Sequence, residues 1–233
     1  MSDKAGRSRW VVVPLILTLV ILLVRWYGER SGASTAFFGT EPGGMQSPLE
    51  EGDPMPSWVG IFWLMPILGI YFAFRMVRSG QVPESKGKAL LFSLLGFAAV
   101  AGVLELFKSL LEAEERQGTN FALWAMPVVV VVLWSVALLL VRRGWAGLFG
   151  LMCLYGFGAR ILVVAVTLIE AWLDPERNTH FEKPHPSVPA DLSDFTNLFY
   201  LSLAQLGMWI PLTIAIGGLC GAVTALVVPR GRS

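Results

Sequence analysis

Charge is scarce in this sequence. Of 233 residues, 15% are charged and 55% are hydrophobic, whereas soluble domains carry about 25% charged residues. A net charge of +1 leaves no electrostatic footprint for nucleic acid or for acidic substrates. Histidine is almost missing: the two residues, His180 and His185, share one polar loop, so no buried histidine pair can ligate a haem. The two cysteines, Cys153 and Cys220, both stand in apolar runs. They form neither a disulfide framework for the loops nor a zinc-type spacing, and read as small buried hydrophobes. No P-loop, dinucleotide glycine fingerprint or G-x-S-x-G elbow occurs, so the sequence points away from an enzyme.

Long apolar runs are what the chain does have. A hydrocarbon core of about 30 Å needs roughly 20 apolar residues in helical form. Six runs qualify, at about 10–26, 58–77, 89–111, 121–141, 145–173 and 195–228. Lipid cannot satisfy free backbone groups and no strand-like alternation is visible, so each run is expected to be a helix. The expected fold is therefore all-α: one polytopic integral membrane domain of six transmembrane helices. The connections at 27–57 and 174–194 are long, and their Gly, Pro, Ser and acid content predicts irregular backbone.

Lys and Arg give the orientation. Lys4, Arg7 and Arg9 precede the first run, and Arg75, Arg78, Lys86 and Lys88 follow the second. Arg142 and Arg143 separate the fourth and fifth, and Arg230 and Arg232 end the sequence. Asp3 and Glu84 are the acids in those segments, while the alternate connections hold most of the others. Both termini are thus expected in the cytoplasm, with the long loops outside, in a plasma membrane of bacterial type. Trp10, Trp26, Trp58, Trp145 and Trp172 stand near run boundaries, where interfacial anchors belong. Residues 1–33 also have the outline of a cleavable signal peptide, but Arg25, Glu29 and Arg30 make a poor approach to a cleavage site.

One permanent cation interrupts the apolar runs. Arg160, in GFGARILVVAV, lies near the middle of the fifth run. On insertion scales a lipid-facing arginine there costs at least about 2.5–3.5 kcal/mol, so it should face the bundle or a wet cavity. Glu105, in VLELFKSLL, is the carboxylate expected at similar depth on another run, which makes an Arg160–Glu105 pair the first structural expectation. Such a pair reads either as a buried tether or as part of a solute pathway. Pro66 in FWLMPILGI and Pro211 in LGMWIPLTI each remove a backbone donor, freeing the carbonyls of Phe62 and Gly207, and Gln205 sits close to the second. Small residues at Gly217 and Gly221, at Ala98 and Gly102, and along the fifth run mark expected helix contacts without naming partners. They leave homo-oligomerisation open.

The loop HFEKPH carries His180, Glu182 and His185, which are metal-capable side chains. Zinc helices space their histidines four apart on one face; these are five apart and Pro184 intervenes, so a solvated loop is the plainer reading. No cofactor is expected, with a zinc-type metal here as the minor alternative. Three functional expectations follow in order. The first is a non-catalytic membrane protein of assembly, partner binding or organisation. The second is a permease for a small anion or lipid-like solute using Arg160. The third is an outer-face metal-dependent enzyme.

Overall fold

The computed structural model describes residues 3–30, 61–117, 121–173, 202–203 and 205–229. Every element among them is helical. Helix α1 is Asp3–Arg30 and α2 is Leu64–Arg78, the latter preceded by a 3-10 turn at Ile61–Trp63. Helix α3 is Lys86–Gln117, α4 is Phe121–Val136, α5 is Ala146–Leu173 and α6 is Trp209–Val227. A π turn at Ala137–Val141 and a short helical turn at Arg142–Gly144 continue α4 toward α5.

Among the described residues five stretches are long and apolar enough to cross a membrane: Arg9–Gly28, Lys86–Leu110, Ala125–Gly144, Ala146–Ile169 and Gln205–Val227. That is one fewer than the six expected from hydropathy. The exception is α2, whose 15 residues reach about 22 Å at 1.5 Å per residue, short of a hydrocarbon core of about 30 Å. Pro66 accounts for its start. It is the third residue of α2, among the first-turn positions whose N–H groups have no acceptor within the α-helix, so its missing donor costs the helix no bond there.

The far end of α2 is closed as firmly. Gly80, at φ 81°, takes the left-handed conformation that a side chain would resist. Its N–H donates to the Val77 carbonyl at 3.1 Å, and that of Gln81 donates to Met76 at 2.9 Å, completing a Schellman stop. Five residues later Ser85 starts α3, its hydroxyl accepting the Lys88 N–H at 3.3 Å. Lys86 then reaches across and donates to the Leu226 carbonyl in the last turn of α6, at 3.4 Å. A Cβ placed on Gly144 would lie 3.1 Å from the Ala89 carbonyl, so the turn bearing Arg142 and Arg143 sits at this same end. Among the described residues, the basic segments at 75–88 and 142–144 therefore gather at one end of the bundle, beside the last turn of α6.

Helix α6 is the centre. Its buried residues include Ile210, Thr213, Ile214, Ala215, Gly217, Gly218, Gly221, Ala222 and Ala225, and α2, α3 and α5 pack around it. Bundles in lipid gain little from apolar burial between helices and rely on close approach at small residues. Gly217 and Gly221, singled out by spacing, do stand at such a contact: a Cβ on Gly221 would lie 3.1 Å from the Gly69 carbonyl of α2. Ala98 and Gly102 do not. Both are exposed, and nothing lies near a Cβ on Gly102.

The outside is as apolar as the core. Val13 and Ile16 on α1, Leu91 and Leu94 on α3, Val128 and Val131 on α4, and Ile161 on α5 are all exposed. Surface of that extent is rare on water-soluble proteins and costs nothing against lipid. The helices are those of an integral membrane protein. Trp145 departs from its expected role as an anchor: it lies buried in the core at the start of α5, while Trp172 at the other end of that helix is exposed.

Buried hydroxyls are satisfied locally. Thr167, Thr213 and Thr224 each donate to the carbonyl four residues earlier on their own helix. Thr18 does the same to Pro14 at 2.9 Å, and its oxygen also lies 3.0 Å from the Tyr155 hydroxyl of α5. Because the Thr18 proton goes to the Pro14 carbonyl, Tyr155 is the donor of that second bond. It is a polar tie between α1 and α5. Tyr155→Phe is expected to cost about 1 kcal/mol, read as a fall of a few degrees in the melting temperature of the detergent-solubilised protein. No change would show that the tie contributes nothing.

Candidate functional site

Arg160 sits 14 residues into α5, about 21 Å from its start at 1.5 Å per residue, near the middle of the Ala146–Ile169 span. It is 5% exposed. Depth and burial agree with the sequence reading that this cation faces protein.

Its partners differ from those expected. The Nη1 group donates to Gln205 Oε1 at 3.1 Å, and the guanidinium carbon lies 4.9 Å from the centre of the Trp209 ring. Glu105 does not take part: it stands on the exposed face of α3. The buried stripe of α3 runs through Ala89, Ser93, Gly96, Val100 and Phe107, and Glu105 falls off it. Equal depth is not enough for a pair when the helix turns one member away.

Both partners come from the entry to α6, and the local sequence accounts for their placement. Residues 205–207 are helical, Met208 is a turn at φ −99° and ψ −46°, and α6 proper starts at Trp209. Pro211 offers no N–H to the Gly207 carbonyl, so the ladder is interrupted there and resumes with Leu212 donating to Met208 at 3.2 Å. The expected effect of Pro211 is thus present, beside Arg160. Gly207 is buried against Val130 of α4, and a Cβ on Gly156 of α5 would meet Ile210 at 3.1 Å, so α4, α5 and this broken segment close around one another.

The charge is only partly answered. A hydrogen bond to a charged group contributes about 1.5–3 kcal/mol, and a desolvated cation–ring contact about 2 kcal/mol. Gln205 and Trp209 nevertheless remain neutral, and among the described residues no carboxylate meets the guanidinium. Its Nε is buried and, among the described residues, has no hydrogen-bond partner. An unmade bond on a buried charged donor is expensive, which makes this edge the place where an oxyanion would gain most. Gln205 reads from sequence as a secondary polar position beside Pro211, and nothing in that reading points to Trp209 as a partner. The W-I-P triplet, an aromatic two residues before a helix-interrupting proline, was the available signal.

His180, Glu182 and His185 lie outside the described residues. Among the described residues no group of three or more His, Cys, Asp or Glu could hold a metal ion. Cys153 and Cys220 are free thiols, each partly buried. Compared with known proteins, the chain matches no family model, no curated protein and no solved structure.

Proposed function

We propose that this chain is a six-span plasma-membrane protein with both termini in the cytoplasm, and that it receives a small anion or the anionic head of a lipid-like solute at Arg160. The sixth crossing would be α2 extended by the residues before it. The gathering of basic segments at one end of the bundle supports the orientation. One observation carries the functional part: a mid-span guanidinium, held in place by neutral groups at a break in α6, keeps a buried donor with nothing to bind. Broken helices beside a charge near the midplane are how membrane carriers expose polar groups to solute.

Water must reach Arg160 for this to operate. In a Cys153→Ala, Cys220→Ala background reconstituted in liposomes, Arg160→Cys is expected to react with a membrane-impermeant thiol reagent. Reaction only after detergent dissolves the bilayer would overturn the reading. A second reading, a non-catalytic protein of assembly or partner binding with Arg160 as an internal strut, draws support from Gln205 and Trp209, which already occupy two sides of the cation.

A further inference from the structure

A second basic site lies at the opposite end of α2 from Pro66. Trp10 of α1, with Phe74, Arg75 and Arg78 of α2 and the following Ser79, lines an open cavity of about 430 Å³. Arg75 lies over the Trp10 ring with its guanidinium carbon 5.3 Å from the centroid, and Arg78 lies over the Phe74 ring at 5.2 Å. A ring engages the flat face of a guanidinium and leaves the N–H donors free in its plane. Among the described residues neither guanidinium has a hydrogen-bond or ion-pair partner. Two oriented, unspent cations three residues apart on one helical face therefore border a single hollow.

Apolar surface continues from the hollow along the same two helices. Val13 and Leu17 follow Trp10 at helical spacing on α1, Ile70 and Ile67 precede Phe74 on α2, and all four are exposed. A free phosphate would use the guanidinium pair and leave this strip idle. A lipid uses both.

We propose that this cavity is a binding site for one anionic glycerophospholipid, its phosphate between Arg75 and Arg78 and its acyl chains along the exposed strip of α1 and α2. The site is separate from Arg160 and stands whatever Arg160 does. It lies within the end where the basic segments gather, the setting in which anionic headgroups are recognised.

The test is a melting experiment on the delipidated protein in neutral detergent. Phosphatidylglycerol is expected to raise the melting temperature by about 5 °C, with phosphatidylcholine and soluble glycerol phosphate each giving less than a third of that. The Arg75→Gln, Arg78→Gln protein should melt near wild type without lipid and lose the phosphatidylglycerol shift. Arg142→Gln, Arg143→Gln should keep it, because those charges lie outside the cavity. An equal shift with phosphatidylcholine would reduce the site to apolar solvation, an equal shift with glycerol phosphate would make it a free-phosphate site, and loss in both double variants would make it diffuse surface charge. Each overturns the proposal, as does no shift at all. Should the Arg75, Arg78 variant fail to fold, phosphatidylglycerol with a photoreactive headgroup decides on wild-type protein. Crosslinks at Trp10 or within 74–79 support the site, and crosslinks only elsewhere refute it.

Discussion

Gly69→Ala will destabilise the protein by about 3 kcal/mol, the upper end of what overpacking ordinarily costs, and will do so more than alanine at Gly217. A Cβ on Gly69 would fall within 2.6 Å of the Gly217 Cα and 2.8 Å of its carbonyl carbon, with the Gly217 oxygen nearer still. These are backbone atoms of α6. They cannot rotate aside, so α2 and the central helix must separate. At Gly217 the first atoms met belong to the Met152 side chain, which has three flexible bonds with which to withdraw. Gly102→Ala is the control. It meets open space on the exposed face of α3, and removing a mid-helix glycine there should be neutral or stabilising by up to about 1 kcal/mol. Melting temperatures of the three variants in one detergent check the order. If Gly69→Ala melts with wild type, the α2–α6 contact is looser than described.

The second large effect is an asymmetry at Arg160. Gln205→Leu is expected to cost about 2–3 kcal/mol, because it removes the hydrogen bond and leaves the buried cation with one neutral partner fewer. Arg160→Leu removes the charge itself, and with it the expense of keeping a cation in the bundle. It should therefore lie within about 1 kcal/mol of wild type, and the double variant should resemble it. A residue held in place against stability is what function asks for. If Arg160→Leu is instead the worst of the three, the arginine is a strut and the assembly reading takes precedence. Glu105→Leu should leave stability and this cycle unchanged, since Glu105 lies off the buried stripe of α3.

How much of this was legible beforehand follows from what a sequence encodes. Apolar length located the helices to within a residue or two at the start of α5 and the end of α6. The run at 58–77 begins outside the described residues, and within it hydropathy does not register that Pro66 stands in the first turn of α2. Depth along an axis was readable, so Arg160 and Glu105 were placed at similar heights. The direction each faces depends on helical phase, and the stripe from Ala89 to Val100 on α3 turns Glu105 away. Gly69 could not have been singled out. Its importance depends on the one residue of α6 that crosses it, and its own neighbours in LGIYF give no sign of that.

The central position of α6 has a consequence for how the protein is made. The helices that surround it precede it in the chain, so they enter the bilayer before the surface they pack against exists. Until residues 205–227 arrive, Gly69 lacks the Gly217 backbone it packs against and Arg160 lacks Gln205 and Trp209. The docking of α6 is thus an insertion into the middle, uniting segments distant in sequence, which is the slow kind of folding step. During that interval Arg160 is a charged side chain on a helix whose partners are α1 and α2, and the arrival of the W-I-P segment gives it its Gln205 and Trp209 contacts.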